Sequence, residues 1–182
     1  MEKLAELRNK HLLFDTNVLI SVVKNTTCYN EFFNIIEELK IKSAIDCTIK
    51  FEFLRGASTK GDLEKKYSYL DILLGEEDRL ELFVDKETFE NAIEISNLYA
   101  RKKPSLTKQI SFGDCLIAAQ MKKYNNGGSN NLFLATIDNN DFPLFLFDRI
   151  SIHTIDTEEK IINVGIYSFN NDKYNELKRN FN

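Results

Sequence analysis

His11-Leu12-Leu13-Phe14-Asp15-Thr16-Asn17 decides how this chain is read: an apolar run of strand length ends on a carboxylate, and Val18-Leu19-Ile20-Ser21-Val22-Val23 opens a helix after the turn. Asp, Thr and Asn suit a turn and a helix N-terminus, so His11 to Asp15 reads as a first strand. A side chain just past such a strand projects from the carboxyl edge, where open α/β sheets bind their ligands.

Working outward, Met1 to Lys10 has helix-forming composition, and Phe32, Phe33, Ile35, Ile36 and Leu39 recur at helical spacing, which predicts a helical hairpin broken at Thr26-Thr27. SAIDCT (43–48) is β-rich. TIKFEFLRGAS (48–58) has helical apolar spacing terminated by Gly56, with Glu52 in its first turns. Lys60 to Leu74 is amphipathic, RLELFVD (79–85) alternates as a strand does, and Glu87 to Lys103 is a long helix stopped by Pro104. SFGDCLIAAQMKKY (111–124) is a helix closed by Asn125-Asn126-Gly127-Gly128, a plain helix-to-strand connection without phosphate-loop spacing. NNLFLATID (130–138) is the clearest buried strand, DRISIHTID (148–156) and IINVGIYSF (161–169) read as further strands, and a polar helix runs from Asn171 to Phe181.

Alternating strands and helices imply an α/β fold: three layers, α/β/α, with a central, mostly parallel twisted sheet and helices on both faces. At 182 residues with 43% apolar content the chain is long enough for one real core, and no linker divides it. The domain is expected over 1–156 with its core at 11–156, a helical insertion at about 57–103, and 157–182 as a C-terminal extension packing on the same domain.

The net charge of -4 excludes a polycation that binds nucleic acid indiscriminately, so phosphate affinity must be local. From Arg101 to Asn125 six cations stand against the single acid Asp114, whereas Asp71 to Glu94 holds nine acids against Arg79 and Lys86. Two solvated helix surfaces of opposite sign account for this as well as a phosphate-binding face does. Cys28, Cys47 and Cys115 form no metal-binding pair and read as free thiols of a reducing compartment. The N-terminus lacks a signal-peptide core and no apolar run reaches membrane-span length, so a cytoplasmic protein without a membrane partner is expected. His11 and His153 lie in strand-like runs and read as structural.

The chemistry sits in the acids, each at the mouth of an element. Asp15 is either a metal ligand or the N-cap of the next helix. Glu52, flanked by Phe51 and Phe53, is either a site acid or an ordinary helix glutamate, and those rings either stack on bases or pack in the core. Ser111-Phe-Gly-Asp114 has the form of a capping box, and the same position aims a carboxylate at the positive end of a helix dipole. Asp138 and Asp141 lie in a turn rich in Asp and Asn. Carboxylates brought together repel unless a cation intervenes, and a hard divalent ion takes oxygen ligands while retaining water.

Taken together, FDTNVLI, SAIDCTIKFEFLRGA, ISFGDCLIAAQ and LATIDNNDF occur in the order of four motifs, and over roughly His11 to Asp156 the sequence resembles the PIN-domain nucleases. The resemblance implies a divalent-metal-dependent endoribonuclease using Mg2+ or Mn2+, with Asp15, Glu52, Asp114 and Asp138 catalytic and Asp141 in reserve as the fourth acid. Asn17, Thr136 and Ser111 are implied as supporting residues. RNA would be the substrate, tracked by Lys50, Arg55, Arg101, Lys102, Lys103 and Lys108. Many members are toxins neutralised by an antitoxin protein and homodimers are common, so both partners are expectations here. A haloacid-dehalogenase-like phosphatase would need a second aspartate where Asn17 stands. A non-catalytic binding module is the remaining alternative, and it does not require four intact acidic motifs.

Overall fold

The computed structural model describes residues 2–75, 79–102, 110–126 and 130–180. Its elements follow the order β1 (His11–Phe14), α1 (Thr16–Lys24), α2 (Asn30–Glu38), β2 (Lys42–Asp46), α3 (Cys47–Leu54), α4 (Lys60–Leu74), β3 (Leu80–Leu82), α5 (Lys86–Lys102), α6 (Phe112–Tyr124), β4 (Leu132–Thr136), β5 (Phe147–Asp156), β6 (Ile161–Phe169) and α7 (Asn171–Arg179). The N-terminal helix-forming stretch is a 3-10 helix, Glu2–Leu7, and a second 3-10 turn, Thr26–Tyr29, makes the break in the α1–α2 hairpin. The alternating run 79–85 is a strand for three residues only. Asp85 leaves it to cap α5, accepting from the Thr88 backbone N–H at 2.8 Å. Lys103, Pro104, Lys108 and the Gly127-Gly128 connection lie outside the described residues.

The six strands form one sheet in the order β3-β2-β1-β4-β6-β5. The β3–β2, β2–β1 and β1–β4 pairs are parallel; β6 runs antiparallel to both β4 and β5. The segment expected as a C-terminal extension thus supplies β6, which lies inside the sheet. From β1 the chain steps to β2 and β3 on one side and later returns to place β4 on the other. The carboxyl ends of β1 and β4 therefore flank a topological switch point, where sheets of this type leave a crevice.

All five residues of β4 are buried, as are Leu12, Leu13 and Phe14 of β1, which requires cover on both faces of the central strands and makes the architecture α/β/α. Each buried Leu and Phe among those side chains contributes about 1.5–3 kcal/mol by leaving water. The α1–α2 hairpin covers Phe14 with aromatic rings: Phe32 meets it edge-on at 6.5 Å, and Tyr29 anchors the turn by donating to Ser21 Oγ at 2.7 Å. Among the described residues no helix is long and apolar enough to cross a membrane. All three cysteines are free.

Candidate active site

Asp15 follows β1 directly and occupies the N-cap position of α1, yet its side chain makes no capping bond. Its Oδ2 instead accepts from the Thr136 hydroxyl at 2.6 Å and from Asn17 Nδ2 at 2.7 Å. Asn17 in turn accepts from the Ile137 backbone N–H through Oδ1 at 3.0 Å. The side chains of Asp15, Asn17 and Thr136 thus tie the ends of β1 and β4 together across the switch point. The capping alternative for the Asp15 side chain is set aside by this geometry.

Glu52 lies half-buried on α3. Its Oε2 accepts from the Thr16 hydroxyl at 2.9 Å, and a Cβ placed on Gly113 would stand 3.2 Å from its Oε1. Gly113 therefore lets α6 approach the Glu52 carboxylate closely, bringing the next residue, Asp114, beside it. Ser111 caps α6 by accepting from the Asp114 N–H at 3.1 Å, and its hydroxyl donates to Asp114 Oδ2 at 2.6 Å. The capping box forms, and it holds the carboxylate at the helix N-terminus that faces Glu52.

Electrostatics register this convergence. Burial pushes Asp15 up to about 6; the Thr136 bond opposes the rise, and the charges of Asp114 and Glu52 add to it. Asp114 is also raised, first by burial, against the Ser111 bond, with Asp141 and then Glu52 contributing. Acids from the end of β1, from α3, from the first turn of α6 and from the loop after β4 therefore act on one another. Glu52 sits in the last turn of α3 and not in the first turns expected, because the helix already starts at Cys47. In that loop Asp138 donates its N–H to Thr136 Oγ1 at 3.1 Å and accepts from the Asn140 N–H, while the Tyr99 hydroxyl donates to the Asp141 carbonyl at 2.9 Å.

Among the described residues no group of three or more His, Cys, Asp and Glu is drawn together tightly enough to form a ready-made metal shell. The Asp15, Glu52 and Asp114 carboxylates are turned toward hydroxyl and amide partners. Their chemistry fits a hard divalent ion: every donor is oxygen, the proton affinities of Asp15 and Asp114 are raised, and Mg2+ needs only one or two direct carboxylates because it keeps several waters. The two histidines do not join the cluster: His11 lies in β1, and His153 in β5 packs edge-on against Phe32 at 5.2 Å.

The expected phosphate-contacting cations separate. Lys50 pairs with Glu81 at 3.3 Å, and Arg55, Arg101 and Lys102 lie at the exposed surface. Phe51 and Phe53 divide as well, Phe51 being 65% exposed and Phe53 6%. A further acid, Asp46, is the buried last residue of β2. It caps α3 by accepting from the Ile49 N–H through Oδ1 at 2.8 Å, while its Oδ2 has no hydrogen-bond partner among the described residues. Extending the β1–β2 register, in which Leu13 pairs with Ala44, sets Asp46 level with Asp15 at the same sheet edge. Burial pushes it up to about 6, with the Glu52 charge adding to the rise. The signal was an acid ending an apolar strand, the same feature that marked Asp15.

Comparison with known proteins adds a family match: the model of the family described as PIN domain matches residues 12–143. A crystal structure of VapBC2 from Rickettsia felis bound to a DNA fragment from its promoter aligns with 68% of this chain and 98% of its own, at 18% identity and a TM-score of 0.47. One of DNA-bound VapBC from Salmonella typhimurium aligns with 68% of this chain and 83% of its own, at 21% identity and a TM-score of 0.45. No curated protein matches.

Proposed function

This chain belongs to the PIN domain family, and on that premise we propose that it is a divalent-metal-dependent endoribonuclease whose scissile phosphate is bound among Asp15, Glu52, Asp114 and the Asp138–Asp141 loop. The observation that carries the reading is the placement of the acids: Asp15 is tied to Thr136 and Asn17 at the switch point, Glu52 is held beside it by Thr16, and Gly113 lets α6 bring Asp114 up to Glu52. A buried acid with acidic neighbours is stabilised by a cation, and a phosphate approaching it needs one.

Asp15, Glu52, Asp114, Asp138 and Asp141 would hold Mg2+ or Mn2+. When bound, the ion supplies an ionised water near neutral pH and offsets charge developing on the phosphorus oxygens and the leaving oxygen. The chain's own groups set the geometry. Thr136 and Asn17 fix Asp15 in one orientation, Thr16 fixes Glu52, and Ser111 fixes Asp114. Outer partners of this kind orient ligand carboxylates. The N-terminus of α6 directs backbone N–H dipoles toward an anionic substrate. Asp141 is the acid of the loop whose charge acts on Asp114, which favours it as the ligand nearest that side. Arg55, Arg101 and Lys102 are proposed to track the RNA backbone.

The test is cleavage of a labelled single-stranded RNA, with the matching DNA as comparison. The wild type cuts RNA in Mn2+, chelation stops it, and Asp15→Asn and Asp114→Asn each lower the rate by more than about 100-fold, beyond the usual cost of losing an outer partner. Because a proton competes with the ion at Asp15, cleavage falls as pH drops below about 6. Full activity of Asp114→Asn in excess Mn2+ removes that residue from the site, and equal cleavage of DNA removes the restriction to RNA.

A further inference from the structure

Asn139 lies between Asp138 and Asp141, and its side chain folds back onto β6 instead of reaching into solvent. Nδ2 donates to the Ile137 carbonyl at 3.2 Å and to the Asn163 carbonyl at 3.3 Å, while Oδ1 accepts from the Tyr167 hydroxyl at 2.7 Å. The space it enters belongs to Gly165: a Cβ there would stand 2.1 Å from Asn139 Oδ1 and 2.6 Å from Tyr167 Cε2. Asn163, Gly165 and Tyr167 alternate along one face of β6, so a glycine between two larger residues makes a seat for the amide.

That seat is joined to the acid cluster. Gly165 pairs across the sheet with Thr136, whose hydroxyl donates to Asp15 and accepts from the Asp138 N–H. At the far end of the loop the buried Tyr99 holds the Asp141 carbonyl. A polar surface loop held only by its ends would sample many conformations, and each backbone residue fixed costs about 1–2 kcal/mol of entropy. The Asn139 amide meets that cost for the middle of the loop through three bonds to fixed groups.

We propose that Asn139, seated over Gly165 and held by the Tyr167 hydroxyl, is a positioning residue that sets the Asp138–Asp141 loop against Asp15 and Asp114. This rests on the metal-site reading above. It adds a residue that touches neither ion nor substrate and acts through the carboxylates on either side of it.

The test is Mn2+ titration by calorimetry on the full chain, alongside thermal melts without metal. The wild type binds Mn2+ saturably, Asn139→Ala raises the dissociation constant by about 10-fold or more, and Tyr167→Phe, which removes the bond to Asn139 along with the hydroxyl's contact to Arg149, raises it by about threefold to tenfold. Both variants retain a cooperative melt, and RNA cleavage at saturating Mn2+ recovers most of the wild-type rate. Should Asn139→Ala fail to fold, Tyr167→Phe decides the matter, since it removes one hydroxyl and leaves the ring in place. Wild-type Mn2+ affinity in the folded variants overturns the positioning role while leaving the nuclease reading standing. A wild type without saturable Mn2+ binding overturns both.

Discussion

A carboxylate at the start of a helix either caps it or faces away from it, and three aspartates here divide those tasks differently. Asp15 stands at an N-cap and bonds across to β4, Asp114 lies in a capping box while facing Glu52, and Asp46 caps α3 with one oxygen and buries the other. Asp46 gives the sharpest prediction at this scale. Its proton affinity is raised in the fold from the ordinary 3.8 to about 6, so the native state holds its proton where the unfolded chain has lost it. Its stabilising contribution is complete below about pH 4 and is lost as pH rises through 6. Asp46→Asn keeps the acceptor for the Ile49 N–H and cannot ionise. In denaturant titrations its stability relative to wild type therefore improves between pH 4 and pH 7, by on the order of 2 kcal/mol. A difference that stays flat with pH refutes the buried-charge account. The acids were legible in the sequence as residues at element mouths. Their partners were not, because a 2.6 Å bond from Thr136 to Asp15 spans 121 positions of chain.

At the scale of elements, the N-terminus of α6 shows how a helix is set against the carboxylate of another helix. Ser111, Gly113 and Asp114 were readable as a helix start, but nothing local reveals that Gly113 faces the Glu52 carboxylate of another helix. Gly113→Ala separates the two roles. Alanine gains up to about 1 kcal/mol of helix propensity over glycine, while its Cβ presses on Glu52 Oε1 from 3.2 Å. The melting temperature is expected to hold or rise while RNA cleavage falls by roughly 10- to 100-fold, the scale on which a misplaced reacting group costs rate. Loss of stability in step with activity would show that Gly113 serves packing alone. Elsewhere, helix spans were read closely from apolar spacing, as α4 at Lys60–Leu74 illustrates. The strand in RLELFVD is shorter than its pattern predicts, because alternation continues past Leu82 while Asp85 turns the chain into α5.

At the scale of the whole molecule, the oppositely charged stretches of the sequence meet in part. Lys123 pairs with Asp85 at 2.5 Å, and Lys122 lies over the Tyr174 ring at 4.6 Å, so both are engaged by the fold. The α/β class was legible from the order of elements. The place of β6 between β4 and β5 was not, since strand order depends on pairings that local pattern does not encode. That order puts β1 beside β4, and with it brings Asp15 to Thr136 and the acidic loop. The central claim, that acids from separate elements share one hard-cation site, is tested most directly by locating Mn2+ through its anomalous scattering in crystals grown with the ion. The account predicts a peak among the carboxylates of Asp15, Glu52 and Asp114 that disappears in Asp15→Asn crystals; a peak confined to other surface acids, or none at all, would contradict it.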